Sequence, residues 1–143
     1  MAPSHVLVPL DGSPLADAAL DEALELFDCR LTVLNVVTPL DVRMSEGGVL
    51  DAGEDRRESA RERADHIVEA ATTRAAEAER TIETAVETGD PAETILAYVD
   101  AHDVDRVVMG GHGGERSSIA RRLLGTVATT VVGEAPVTVT VVR

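Results

Sequence analysis

The sequence predicts an α/β protein of one domain, with a single open five-stranded parallel sheet and helices on both faces. Apolar residues alternate along the chain between short strand-like runs and stretches of helical period. The strand-like runs are nearly continuous in Val and Leu, as in parallel sheets that are covered on both faces. A length of 143 residues with 44% hydrophobic residues is enough to bury a core. Each crossover between strands is expected to be right-handed.

The amino-terminal part predicts a strand, a helix and a second strand. Residues 5–10, HVLVPL, are a short apolar run and form the first strand. Ser13 and Pro14 suit the N-cap and first position of a helix that continues to about Phe27. Residues 31–37, LTVLNVV, form the second strand.

The remaining elements repeat this alternation. Residues 38–53 are interpreted as a mobile loop, because they hold one proline and three glycines. Next come a helix over about 55–80, with an apolar stripe at spacings of three and four, and a strand at 81–86. The segment DPAE, residues 90–93, predicts a capped helix start. The last predicted elements are a helix that ends near His102, a strand at 105–110, a helix over about 118–133 and a strand at 137–142.

The charge of the chain excludes one class of partner. A net charge of −13 argues against nucleic-acid binding, which needs Lys and Arg to replace counterions. All 13 basic residues are Arg. A GC-rich genome would favour Arg over Lys, and an organism with concentrated internal salt would favour it together with surplus Asp and Glu. We favour the second source, such as a halophilic archaeon.

A cytoplasmic location is predicted from features that the sequence lacks. No apolar run reaches 18 residues, so no membrane span is expected, and the first residues do not resemble a secretory signal. Cys29 is alone and can form no internal disulfide, which fits a reducing cytoplasm. A small buried hydrophobic role for Cys29 is favoured over a reactive thiol.

Two strand ends carry the candidate chemistry. VPLDGS follows the first strand and MGGHGGERSS follows the fourth. In open sheets, ligands bind beyond the carboxyl ends of strands where the strand order reverses. The glycines could bring the backbone close to a phosphate beside helix starts near 117–118 and Thr126, or could simply form a turn. Asp11 could orient a ribose or a metal, or cap the next helix.

Other chemistry has little support in the sequence. The four His residues share no short metal-ligand spacing, so no metal site is predicted. Motifs for a nucleophile elbow, a P-loop or a zinc protease are absent, and no nucleophile–base pair stands out. No catalytic residues are therefore assigned.

Four separated segments resemble the universal stress protein family in order and over the whole chain. They are HVLVPLDGSPLADAAL, LTVLNVVTP, VETGDPAETI and DVDRVVMGGHG with the later LLGTV and APVTVTVVR. The resemblance implies one domain over 1–143, a sheet ordered 3-2-1-4-5 and an adenine-nucleotide alpha-hydrolase-like fold. It also implies a homodimer in which strand 137–142 pairs with its counterpart, as an exposed edge would allow.

The resemblance also implies a site for ATP, with or without Mg²⁺. Binding members of the family carry Gly-x2-Gly-x9-Gly-Ser/Thr, which Gly110, Gly113, Gly125 and Thr126 match except that eleven residues, not nine, separate Gly113 from Gly125. Asp11 would lie by the ribose, and the backbone of Val36 would meet the adenine. The implied site consists of Pro9, Leu10, Asp11, Val36, Met109, Gly110, Gly111, His112, Gly113, Gly114, Arg116, Gly125, Thr126 and Val127.

Three functions fit this sequence. The first is a dimeric stress protein that binds ATP or a related adenine nucleotide as a regulatory signal. The second is a dimeric interaction module of the same family that has lost nucleotide binding through the longer loop. The third, a weak ATPase, has the least support.

Overall fold

A parallel sheet organises the computed structural model, which describes residues 2–39, 53–112 and 124–143. Within them the elements are β1 His5–Pro9, α1 Pro14–Leu26, β2 Arg30–Val37, α2 Gly53–Glu77, β3 Glu83–Thr88, α3 Pro91–Ala101, β4 Arg106–Gly110, α4 Thr126–Glu134 and β5 Thr138–Val142. The five strands pair in parallel in the order β3-β2-β1-β4-β5, which confirms the predicted fold class and strand order. The predicted loop falls largely outside the described residues. The predicted helix 118–133 starts too early: α4 begins at Thr126, because Gly125 is extended, and residues 118–123 lie outside the described ranges.

The central strand β1 is buried on both faces. Val6, Leu7 and Val8 are fully buried, because β1 pairs with β2 on one side and β4 on the other while helices cover both faces. Burying such a side chain contributes roughly 1.5–3 kcal/mol each. The chain therefore builds its core from Val, Leu and Ala with almost no aromatic residues.

Two hydrophobic layers lie on opposite faces of the sheet. One layer packs α1 and α2 against the strands, and its main members are Val6, Val8, Leu10, Ala19, Leu20, Ala23, Val33 and Ala71. The other packs α3 and α4, and its main members are Leu7, Leu34, Ile95, Val99, Val107, Met109, Ala128 and Val131. Ala60 and Ala64 pack α2 near Val37 at the end of β2. This packing places helix starts and strand ends at the same edge of the sheet.

The predicted starts of α1 and α3 are confirmed. The Ser13 hydroxyl accepts a hydrogen bond from Ala16 N at 3.3 Å, and Pro14 opens α1. The Asp90 carboxylate accepts one from Glu93 N at 3.0 Å before α3. Side-chain caps of this kind satisfy N–H groups that the first helical turn leaves unpaired.

The ends of α2 and β3 differ from the prediction. Helix α2 stops at Glu77, not near Arg80, because Glu79 adopts a φ of 58° and Arg80 N donates back to Ala75 O at 2.8 Å. This is a left-handed helix cap without the usual glycine. Strand β3 begins at Glu83, later than the predicted 81.

Polar side chains join the amino-terminal ends of the strands, far from the carboxyl edge. Arg30 Nε donates to both carboxylate oxygens of Glu83 at 2.8 and 2.9 Å, and the Thr32 hydroxyl donates to Glu83 Oε2 at 3.1 Å. The hydrogen bond from Arg30 is the largest cause of the lowered pKa of Glu83. Burial raises this pKa, and the hydrogen bond from Thr32 lowers it further. The ring of buried His5 lies between Thr32 Oγ1 at 2.8 Å and the carbonyl of His102 at 3.0 Å.

Asp105 fixes the start of β1 at the same edge. Its carboxylate accepts hydrogen bonds from the backbone and hydroxyl of Ser4, both at 2.8 Å, and from His5 N at 3.1 Å. Burial alone would raise the pKa of Asp105, but the donors on Ser4 and His5 outweigh it and lower the pKa. β1 and β4 are thereby held in register at this end.

Candidate functional site at the carboxyl edge of the sheet

A cavity of about 1300 Å³ opens at the carboxyl edge of the sheet. The ends of β1, β2 and β4 border it, together with the starts of α1, α3 and α4 and one face of α2. The strand order places β1 between β2 and β4, so the direction of winding reverses here. Ligands of open α/β sheets bind at such a reversal. The volume exceeds the roughly 300–1,000 Å³ of common small-molecule pockets.

The turn after β1 brings Asp11 to this cavity. Asp11 is exposed, and its Oδ1 accepts a hydrogen bond from Ser13 N at 2.9 Å. Gly12 has a φ of 84°, a backbone conformation that residues other than glycine rarely adopt. Ser13, not Asp11, caps α1. Asp11 therefore shapes the turn and still presents a carboxylate at the cavity wall.

Asn35 holds the end of β1 from the neighbouring strand. It is 5% exposed, and its Nδ2 donates to the Leu10 carbonyl at 2.7 Å. Leu10 N donates in turn to Leu34 O at 2.9 Å, beyond the last ladder pair of β1 and β2. Asn35 thus fixes the peptide that leads into Asp11. Asn35 was not among the predicted site residues, although a lone amide inside the apolar run LTVLNVV indicates a buried hydrogen-bond partner.

The end of β4 runs close against α1. A Cβ added at Gly110 would lie 2.9 Å from the carbonyl carbon of Leu15 and 3.0 Å from Ala16 N. Gly111 N donates to Val142 O at 2.8 Å, which continues the pairing of β4 with β5. Glycine at position 110 therefore lets strand and helix approach each other. This packing role is independent of any ligand.

The start of α4 lacks the side-chain cap that α1 and α3 have. Its cap residue is Gly125, whose N–H donates to Gly111 O at 2.6 Å and which offers no side-chain acceptor. Thr126, Val127 and Ala128 form the first turn and line the cavity. The N–H groups of a first helical turn and the positive end of the helix dipole favour an anion by about 0.3–1 kcal/mol. The cavity therefore has one wall suited to a phosphate group.

The cavity brings together most of the residues that the sequence predicts for the site. Those that line it are Pro9, Leu10, Asp11, Val36, Met109, Gly110, Gly111, His112, Gly125, Thr126 and Val127. Gly113, Gly114 and Arg116 lie outside the described residues. The altered spacing between Gly113 and Gly125 lies there too.

The wall formed by α2 was not predicted. It consists of Ser59, Ala60, Arg63, Ala64 and Ile67. The sequence identifies the alanines and Ile67 as an apolar stripe, but it does not show that the edge of this stripe faces the strand ends. Among the described lining residues, Asp11 and Arg63 carry the formal charges.

Two negative findings concern the described part of the chain. It contains no group of three or more His, Cys, Asp or Glu side chains arranged to hold a metal ion. None of the helices in the described ranges is both long and apolar enough to cross a membrane.

Comparison with known proteins identifies the family. A model of the universal stress protein family matches residues 3–143. The chain belongs to the universal stress protein family. Among curated proteins, none matches this sequence at a significant level.

Solved universal stress proteins share the fold over the full chain. Universal stress protein UspA from Lactobacillus plantarum is 27% identical, with 100% of this chain and 99% of that chain covered and a TM-score of 0.79. A universal stress protein in complex with cAMP is 25% identical, with 100% and 99% covered and a TM-score of 0.74. A family protein from Arabidopsis thaliana with AMP bound is 22% identical, with 98% and 91% covered and a TM-score of 0.70.

Proposed function

We propose that this universal stress protein binds an adenine nucleotide, ATP in the first place, as a regulatory ligand of a homodimeric signalling module in the cytoplasm. The observation that carries the proposal is the cavity at the strand reversal, into which α4 opens without a side-chain cap. The similar protein in complex with cAMP supports an adenine nucleotide as the class of ligand. ATP itself, with or without Mg²⁺, is the finer part of the proposal.

Each part of the nucleotide has a proposed set of contacts. The first turn of α4, from Gly125 to Val127, would hold phosphate oxygens through backbone N–H groups. Asp11 would accept hydrogen bonds from ribose hydroxyls, and the backbone of Val36 would meet the adenine. Gly113, Gly114 and Arg116 complete the proposed phosphate loop.

The first experiment identifies the natural ligand directly. The protein is purified in KCl without added nucleotide, denatured, and the released small molecules are separated and identified by mass spectrometry. We expect near-stoichiometric adenine nucleotide. Thermal unfolding with added Mg-ATP, AMP or cAMP then ranks the ligands, since a ligand at 100 times its Kd stabilises the fold by about 2.7 kcal/mol.

A cap substitution tests the role of α4. Gly125→Asp would place a carboxylate where it can accept from the first-turn N–H groups and repel phosphates. We expect it to weaken ATP binding by at least about tenfold, which corresponds to about 1.4 kcal/mol. Gly125→Ala adds the same Cβ, which lies 3.3 Å from His112 Cα, without the acceptor. Equal effects of the two variants would contradict a phosphate site at this helix.

An empty cavity would favour the alternative function, a dimeric interaction module that has lost nucleotide binding. If no nucleotide is released and none raises the unfolding temperature, the eleven residues between Gly113 and Gly125 mark a family member that acts through protein contacts alone. The helical surfaces of the dimer would then be examined for partners.

The homodimer is proposed to form through β5. The sheet order leaves Thr138–Val142 at an edge, and its Val139, Thr140 and Val141 are only partly buried. Such an edge offers unpaired N–H and C=O groups to a second copy. Light scattering after size exclusion should give the mass of two chains across a range of concentrations. The mass of one chain at all concentrations would refute the dimer.

A further inference from the structure

The wall formed by α2 adds a charged group to the cavity that the glycine motif does not include. Arg63 lines the cavity beside Ala60 and Ala64, two small residues that let α2 pack closely near Val37. Arg63 also lines a smaller adjoining cavity of about 480 Å³, together with Gly12 and Asp17. The side chain therefore stands at the wall between α2 and the turn that follows β1.

The electrostatics of the protein make this arginine significant. A chain with a net charge of −13 repels a polyanionic ligand, and Asp11 adds a carboxylate to the cavity itself. The positive end of the α4 dipole offsets only part of this repulsion. Among the described lining residues, Arg63 is the side chain with a permanent positive charge. A guanidinium also matches the geometry of a phosphate, to which it can donate two parallel hydrogen bonds.

We infer that Arg63 binds the phosphate groups of the nucleotide and sets the preference of this site for the more highly charged ligands. The inference rests on the proposed function, because it concerns the same cavity. In this proposal Arg63 on α2 distinguishes ligands by their charge, and the backbone N–H groups at the start of α4 bind a phosphate. Arg63 is an exposed residue on the face of α2 that lines the cavity.

The test compares two arginines on the same helix. Arg63→Ala removes the proposed contact. Arg61→Ala removes the same charge from an exposed side chain that pairs with Asp65 at 3.5 Å and does not line the cavity. Binding of ATP, AMP and adenosine is measured by calorimetry for both variants and for the unaltered protein. Unfolding curves without ligand check that each variant is folded.

The expected pattern depends on the number of phosphates. Arg63→Ala should weaken ATP by about tenfold or more, weaken AMP less and leave adenosine unchanged, where tenfold corresponds to about 1.4 kcal/mol. Arg61→Ala should change each affinity by less than about twofold, because Arg61 does not line the cavity and its exposed charge is screened by salt. Arg63→Lys should recover part of the ATP affinity, because it keeps the charge and loses the fork.

Three results would overturn the inference. If Arg63→Ala and Arg61→Ala changed the ATP affinity equally, Arg63 would make no specific contact with the phosphates. Equal weakening of ATP, AMP and adenosine by Arg63→Ala would mean that the side chain acts on the base, the ribose or the fold. Failure of the unaltered protein to bind any of the three ligands would refute the proposed function as well, whereas the first two results leave nucleotide binding itself intact.

Discussion

Gly110 shows how a single residue can be required for packing in a site where glycine also suggests ligand binding. Its missing side chain lets β4 lie against the first turn of α1. Gly110→Ala would force a Cβ to within 2.9 Å of the Leu15 backbone, which cannot move like a flexible side chain. We expect a loss of about 1–3 kcal/mol in the free energy of unfolding, measured by urea denaturation without ligand.

A second glycine provides the control for this prediction. A Cβ added at Gly133 in α4 meets nothing within 4 Å. Gly133→Ala should therefore raise the free energy of unfolding by up to about 1 kcal/mol, because alanine favours a helix. If Gly110→Ala were as harmless as Gly133→Ala, the close approach of strand and helix would not be needed, and the glycine would be explained by a ligand alone.

Asn35 is the second residue on which the site geometry depends. Asn35→Leu keeps the approximate size of the side chain but leaves the Leu10 carbonyl without its donor at 2.7 Å. An unsatisfied buried polar group costs about 1–3 kcal/mol, and we expect a loss of this size in urea denaturation. Thr72→Val is the control, since its exposed hydroxyl only donates to Val68 O within the helix, and it should change stability by less than about 0.5 kcal/mol.

At the scale of elements, the ion pair at the amino-terminal edge of the sheet predicts how the stability of the fold changes at acidic pH. The folded-state pKa of Glu83 is lowered, mainly by Arg30, so its stabilising contribution is present above the ordinary carboxylate range and is lost as the pH falls through the lowered value. Glu83→Gln removes that contribution. The difference in stability between the unaltered protein and Glu83→Gln should therefore shrink as the pH falls from about 6 to below the ordinary value of 4.5.

A double-mutant cycle isolates the source of this acid dependence. The two side chains are about half exposed, at 52% for Arg30 and 51% for Glu83, so the effect will be modest and screened by salt. In an Arg30→Gln background the pH dependence of the Glu83→Gln effect should be largely abolished. If it persisted unchanged in that background, Arg30 would not be its cause.

The starts of α1 and α3 were predicted correctly, whereas the end of α2 was not. Ser13 and Asp90, each followed by proline, are sequence signals for helix starts, and both caps form. Helix ends depend here on Glu79 and Asp103, which take φ values of 58° and 52° in place of the glycine that usually marks such a position. The end of α3 at Ala101 was nevertheless predicted to within one residue, whereas the end of α2 at Glu77 was placed about three residues too late.

The start of β3 and the α2 wall of the site were not predicted correctly, for different physical reasons. The ladder places β3 at a sheet edge, with its side chains exposed or half-buried, so burial imposes little pattern on its sequence and its start was misplaced by two residues. Site residues at the ends of β1 and β4 could be found, because glycines and an acid follow apolar runs there. The α2 wall could not, since its position near Val37 depends on tertiary packing.

At the scale of the whole molecule, the surplus of acidic residues predicts a dependence on salt. A net charge of −13 destabilises the compact state through self-repulsion, and raising KCl from 0.1 to 1 M shortens the screening length from about 10 to about 3 Å. The unfolding temperature should rise over this range, and each 1 kcal/mol of recovered stability corresponds to a rise of about 2–4 °C in a domain of about this size. The same titration at pH 5, near the sequence pI of 4.6, should give a smaller rise because the net charge is smaller. Equal stability in low and molar KCl at neutral pH would contradict both the self-repulsion and a salt-rich source.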